Sequence, residues 1–201
     1  MNDIIQVENK YYISINSTYA DDRVRVLNHI DTFGIFDRWG DIKQLGDEVQ
    51  GIYHNGTRFI SEIEFRINEH RPLLLSSSVK EENEILSVDL TNPSIICSDG
   101  TALHKGLLYI GRSKFIYQGA CYEQIKIYNY GHEAYTFAAS LAFNADFKDI
   151  FEIRGMKREK RGEVYEIKHQ EGNIVTINYL GLDNIKRCTR VHFSHTPDSW
   201  E

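Results

Sequence analysis

The sequence predicts an all-β protein, a large antiparallel β-sandwich with at most one or two short helices. Three observations carry that expectation. The 201 residues include 24 Ile, 9 Val, 12 Tyr and 10 Phe against 13 Leu and 8 Ala; β-branched and aromatic side chains suit a pleated surface, whereas Ala and Leu favour helices. Apolar and polar residues alternate with a period of two along much of the chain. Turn residues separate these runs at the spacing of a sandwich or barrel.

In chain order, residues 10–16 and 50–53 are short strand candidates. Residues 57–67 read as one half-buried strand, with Phe59, Ile63, Phe65 and Ile67 inward and Arg58, Glu62, Glu64 and Arg66 opposite. Asn68-Glu69-His70 turns the chain into Pro72-Leu73-Leu74-Leu75, and residues 84–90 follow as a further strand. Residues 107–117 end at Gln118-Gly119-Ala120, and residues 121–130 alternate with Glu123, Ile125 and Ile127 on one face. After Asn129-Tyr130-Gly131, residues 137–143 complete what reads as a three-stranded meander. Residues 164–169 and 174–180 flank Gln170-Glu171-Gly172-Asn173 as a hairpin, and residues 187–193 add a last strand. The best helical signal is residues 144–151, with Asn144 as its expected cap and Gly155 soon ending it. Neither a linker composition nor a repeat divides the chain, so residues 1–201 are expected to form a single domain. The terminal Trp200-Glu201, with no polar tail after it, suggests a piece of a longer protein.

Composition narrows the function classes. Apolar residues at 41%, charged residues at 26% and three prolines exclude a disordered or collagen-like chain. A net charge of −6 argues against nucleic acid as partner. The N-terminus lacks a leader pattern and no apolar run approaches a membrane span, so a cytoplasmic location without a membrane partner is expected. Cys97, Cys121 and Cys188 are odd in number and widely spaced, which fits reduced thiols rather than a disulfide framework or a metal site. His192 and His195 would point to opposite strand faces, so neither metal nor cofactor is expected.

Catalytic constellations are weak. Sugar hydrolysis needs two carboxyl groups roughly 5–9 Å apart. Glu62 and Glu64 share a face that alternation assigns to solvent. Asp146, Asp149 and Glu152 recur every three residues, on one side of a helical turn, where nearby Lys148 and Arg154 are the expected ion partners. Cys121 reads as core, and Lys157-Arg158-Glu159-Lys160-Arg161 as a solvated loop. Tyr12, Trp39 and Tyr128 are candidates to stack on sugar rings, though cross-strand aromatics also stabilise sheets.

Two segments carry a family resemblance. One is Asp37-Arg38-Trp39-Gly40-Asp41-Ile42, followed by Gln50-Gly51-Ile52-Tyr53-His54-Asn55-Gly56-Thr57-Arg58-Phe59-Ile60-Ser61 and Arg71-Pro72-Leu73-Leu74-Leu75-Ser76-Ser77. The other, more specific, is Asn144-Ala145-Asp146-Phe147-Lys148-Asp149-Ile150-Phe151-Glu152-Ile153-Arg154-Gly155, with Arg161-Gly162 after it. Over roughly residues 20–195 the chain resembles the N-terminal domain of bacterial and archaeal glycogen-debranching (amylo-α-1,6-glucosidase-like) proteins. The resemblance implies a β-supersandwich placed before a catalytic α/α toroid that holds the acid and base, so that this chain alone is not an enzyme. It departs at Gly56, where the family usually has Asp before Thr-Arg.

On this reading the chain is an accessory domain that packs on the toroid of the same parent chain and shapes its cleft. Arg58, Asp146, Phe147, Asp149, Glu152 and Arg154 are the candidate interdomain or cleft contacts, with Ile150 and Phe151 beside them, because a mix of charge and large apolar groups is the character of an interface. The alternative partner is α-glucan, bound by a free-standing carbohydrate-binding module. A toroid-facing patch would also let the isolated chain form a homo-oligomer.

Overall fold

A computed structural model describes residues 4–7, 10–13, 24–43, 49–170 and 172–200. The architecture is all-β. Among the described residues, seventeen strands run antiparallel: β1 Ile4–Val7, β2 Lys10–Ile13, β3 Val24–His29, β4 Thr32–Asp37, β5 Gly51–His54, β6 Thr57–Ile60, β7 Glu62–Ile67, β8 Leu73–Val79, β9 Ile85–Thr91, β10 Ile95–Ile96, β11 Ala102–Leu103, β12 Leu108–Tyr117, β13 Ala120–Asn129, β14 Ala139–Asn144, β15 Glu163–Gln170, β16 Ile174–Leu180 and β17 Lys186–His192. One short helix, α1 Ile150–Ile153, interrupts them.

Two four-stranded sheets dominate, ordered β3-β4-β5-β6 and β13-β12-β9-β8. Along β12 the inward residues Leu108, Ile110, Arg112, Lys114 and Ile116 are buried while their neighbours face out, the period of two that a sheet covered on one side requires. Leu86, Val88 and Leu90 of β9 share a core with Leu27 and Phe36 of the other sheet, and with Phe65 and Ile67 of β7. A third sheet, β15-β16-β17, lies beside β6, where the Thr189 hydroxyl donates to the Phe59 carbonyl at 2.6 Å. Its own small core joins Ile177 and Tyr179 to Ala145 and Phe147.

Several elements depart from the sequence expectation. Residues 57–67 do not form one strand: the chain bends at Ser61, so that β6 pairs with β5 and β7 pairs with β14. Arg58 therefore turns inward and is fully buried, and Glu64 lies in a half-buried ion pair with Lys43 at 2.7 Å instead of facing solvent. The meander ends after two strands, because β14 leaves the β12–β13 hairpin to pair with β7. Asp149, not Asn144, caps the helix. Strands β3 and β4 escape the alternation test because small or polar groups, Thr32 and Gly34, occupy inward positions of β4. Strand β2 covers part of the expected run 10–16, and residues 14–16 lie outside the described residues. Trp200 is half-buried, its ring edge-on to His169 and Phe193.

The core is not purely apolar. The turn after β4 is built on Asp37, whose carboxylate accepts from the backbone N–H groups of Trp39 at 2.8 Å and Asp41 at 3.0 Å. It carries Asp41 between the sheets, where its carboxylate receives Arg112 Nη1 at 2.5 Å, Arg71 Nε at 3.2 Å and the Phe65 N–H at 3.3 Å. Arg112 also donates to Glu123 at 2.7 Å and to the Trp39 carbonyl at 2.8 Å. Lys114 faces the same Glu123 carboxylate, and Arg71 pairs with Asp37. Three cations thus meet three carboxylates, as burial of charge requires. Gly40 closes the turn at φ +77, and a Cβ there would press on the Lys114 Cε at 3.2 Å.

Burial alone would raise the Glu123 carboxyl, but Lys114 and Arg112 outweigh it and hold the group at about 2, below its ordinary 4.5. Burial pulls the Lys114 ammonium below its usual range and pushes the Cys121 thiol up to about 11, so that the thiol stays protonated inside the sandwich. A depressed carboxyl contributes stability that is complete above its unfolded pKa and is lost as pH falls through the folded value. Glu123 is therefore expected to contribute about 3 kcal/mol at neutral pH, fading between pH 4.5 and about 2. In urea titrations across that range, Glu123→Gln should start less stable than the wild type at pH 7 and converge with it near pH 2. Parallel pH profiles would contradict the assignment.

Candidate functional site

The segment after β14 runs beside β6 and is joined to it by an isolated antiparallel bridge, Thr57 to Asp149. Its backbone pairs through Arg58 N–H to the Lys148 carbonyl at 2.8 Å and Ile150 N–H to the Gly56 carbonyl at 2.9 Å. The Asn55-Gly56 turn that presents β6 has both residues at positive φ, +47 and +75, the combination a two-residue type I′ hairpin demands. Gly56 lies at the turn tip, where an added Cβ meets nothing within 4 Å.

Arg58 holds the loop from beneath. Its Nε donates to Asp146 Oδ1 at 3.0 Å, its Nη2 pairs with the second carboxylate oxygen, and its Nη1 donates to the Gln50 carbonyl at 3.0 Å. Such a two-point fork fixes orientation as well as distance. Gly51 makes room for it, since a Cβ at that position would fall on the Arg58 side chain. Phe147, at φ +52, turns its ring inward onto Tyr179, stacked at 4.8 Å and 11°, with Phe59 edge-on at 5.6 Å.

Asp149 then starts the helix. Its carboxylate accepts from the N–H groups of Phe151 at 2.8 Å and Glu152 at 2.9 Å, and the Glu152 side chain accepts from the Asp149 N–H at 3.1 Å. This reciprocal capping box satisfies donors a four-residue helix would leave orphaned. Burial acts to raise the Asp149 carboxyl, but these N–H groups and Arg158 outweigh it and hold the group below its ordinary range. Arg158 pairs with Asp149 at 2.5 Å, and Arg161 pairs with Glu152 at 2.9 Å while reaching the Asp146 carbonyl.

A cleft of about 320 Å³ opens between this segment and the β16–β17 turn. Its arginines are matched, Arg158 to Asp149, Arg161 to Glu152 and Arg187 to Asp183. Lys160 also lines the cleft, which so carries, among the described residues, four cations against three carboxylates, each of those carboxylates being engaged by an arginine.

The structure thus brings Arg58, Asp146, Phe147, Asp149 and Glu152 into one unit, but it turns Arg58 and Phe147 into the domain's own packing. The three acids do not share a helical side, because the helix begins only after Asp149. Arg154 is exposed and is not among their ion partners, whereas Lys148 pairs with Asp146 at 3.7 Å as expected, alongside Arg58, Arg158 and Arg161. The basic run 157–161 is exposed but organised by those pairs, whose signal in the sequence is the three-residue spacing of acids and arginines alike. Trp39 is unavailable for sugar stacking: its indole donates to the Pro72 carbonyl at 2.9 Å and the Arg71 guanidinium covers its ring at 4.0 Å. The Tyr12 side chain lies outside the described residues, whereas Tyr128 stands on an outer sheet face. Among the described residues, no three of His, Cys, Asp and Glu group to hold a metal, and no helix is long and apolar enough to cross a membrane.

An antiparallel sandwich with a charge-paired interior and a capped loop locked by an arginine defines the class of this protein. A family model describing the N-terminal domain of some glycogen debranching enzymes matches residues 27–201, and the chain belongs to that family. No curated protein and no solved structure matches it.

The internal role of Arg58 separates it from Arg154. Arg58→Lys loses the fork to Asp146 and should cost ~2 kcal/mol, whereas Arg154→Ala should stay within ~0.5 kcal/mol. Urea unfolding of both variants measures this; equal costs would contradict it.

Proposed function

We propose that the chain is the non-catalytic N-terminal accessory domain of a glycogen-debranching, amylo-α-1,6-glucosidase-like enzyme, and that it packs against an α/α toroid catalytic domain of the same parent chain and helps shape its cleft. Family membership supports the first half. One observation carries the second. Ile167 of β15 is the register partner of Ile177 of β16 and so shares its face, yet Ile177 is 4% exposed and Ile167 is 60% exposed. The inner face of the third sheet overhangs its own core.

Other large apolar groups stand exposed in the same stretch of chain. They include Phe151 and Met156 around α1 and Tyr165 at the β15 bulge. Uncovered apolar surface of this kind, rimmed by charge, is the mark of an interaction face. Here the locked loop supplies a rigid support, with the Asp149, Glu152, Arg158 and Arg161 pairs at its rim. The exposed thiol of Cys188 suits a reducing, cytoplasmic compartment.

The test expresses the catalytic region alone and joined to this domain. The joined protein should be more stable and more active on branched α-glucan, and Ile167→Asp with Phe151→Ser should reduce both gains, each substitution by ~2 kcal/mol of interdomain stability. Equal stability and activity with and without the domain would overturn the proposal.

A further inference from the structure

The outer face of the β13-β12-β9-β8 sheet lies far from the docking patch in sequence and carries a hollow of about 340 Å³, within the size range of ligand clefts. Cross-strand register sets its walls. At one end Tyr109 faces Tyr128, rings 6.0 Å apart and tilted by 39°. Further along the same face, beyond the lining of the hollow, Phe115 stacks on Tyr122 at 4.8 Å and 12°. Six residues of strand separate the two aromatic pairs, roughly 20 Å. Between them the side chains are small or polar: Ser87 and Asp89 on β9, Gly111 and Ser113 on β12, Gln124 and Lys126 on β13.

The polar groups in this trough are set for a particular kind of ligand. Asp89 accepts from the Tyr109 hydroxyl at 2.5 Å and from Ser76 across the strand pair, and these two hydrogen bonds hold its carboxyl below the usual range. A carboxylate offers about four acceptor sites, so sites remain for incoming hydroxyls. Neither Asp89 nor Lys126 is in an ion pair among the described residues. Both flank Gly111 in register, an acceptor on one side and a donor on the other. The absent Cβ matters: one at Gly111 would reach the Tyr109 hydroxyl at 3.2 Å and raise the floor between them.

One cation beside one anion does not suit a phosphorylated ligand, which calls for a cationic excess. A polar floor does not suit a lipid. Flat aromatic faces at the ends of a row of alternating donors and acceptors suit a neutral chain of hydroxylated six-membered rings, which presents C–H faces to the aromatics and hydroxyls to the polar groups. We propose that this trough binds an oligosaccharide, with Tyr109 and Tyr128 as the stacking platform and Asp89, Gln124 and Lys126 as hydroxyl partners. The choice of α-glucan as first probe rests on the family reading above; the site itself does not involve the docking patch.

Calorimetry of the whole chain with maltoheptaose and, separately, cellohexaose tests it. Binding of one or both is expected, the preferred sugar identifying the linkage. Tyr128→Ala and Asp89→Asn, both on the solvent side, should each weaken binding by about ten-fold or more, with Gln124→Ala as a further variant should either fail to fold. Ile167→Asp and Phe151→Ser in the docking patch should leave binding unchanged. Absence of binding to both sugars, or binding unmoved by Tyr128→Ala and Asp89→Asn in folded protein, would overturn the proposal and leave the docking role standing.

Discussion

Charge that has been taken out of water cannot be left unpaired, and the buried Asp41–Arg112 contact imposes that constraint on the centre of the sandwich. Arg112 and Lys114 point inward from β12, where the strand period leaves them no route to solvent. Their counter-charges come from the neighbouring strand, through Glu123, and from the facing sheet, through Asp41. The Asp37 turn exists to deliver that second carboxylate: its backbone is tied to Asp37, its glycine clears Lys114, and Arg71 closes it from outside. Apolar packing supplies most of the burial, but the charge cluster specifies which sheet face meets which.

The same device is repeated at smaller scale. Arg58 reaches from β6 to Asp146 and, with the backbone bonds to β6 and the Arg158 and Arg161 pairs, fixes the loop around a four-residue helix. Because the loop is fixed, Phe147 can fill the small core under the third sheet. That core is short: it covers Ile177 and Tyr179 and stops before Ile167. The overhang follows from the packing, and it is the observation on which the proposed docking of a neighbouring domain rests. The outer face of the β13-β12-β9-β8 sheet, by contrast, meets solvent with a polar floor between aromatic pairs.

Much of the fold was legible in the residues. The hairpins of β12–β13 and β15–β16 follow from clean alternation around turn residues, and the all-β class follows from composition. What escaped had physical causes. Alternation in 57–67 breaks at Ile60-Ser61, where the chain bends, and Arg58 shares the inward face with Ile60 because Asp146, 88 residues later, neutralises it inside; no local pattern encodes a partner that distant. Glu123 sits in the inward register with Ile125 and Ile127, and its sequence position already implied a buried carboxylate in need of cations at equivalent places on the next strand. Of the candidate site, the motif residues were found, but their roles were not. Arg58 and Phe147 serve the interior, Lys148 pairs with Asp146 as expected, and Arg158 and Arg161 take the role expected of Arg154, because an irregular loop brings together residues that helical spacing would separate. The trough was visible only through Tyr128, since its depth depends on the registry of Gly111 between Asp89 and Lys126.

The measurement that bears most directly on the charge cluster is a double-mutant cycle in urea with Asp41→Asn, Arg112→Met and the two combined. The account predicts that the single substitutions each cost about 3–5 kcal/mol, by stranding a buried partner, and that the double variant costs at least ~2 kcal/mol less than their sum. Strict additivity of the two costs would show that Asp41 and Arg112 contribute independently, and would contradict the view that their pairing joins the sheets.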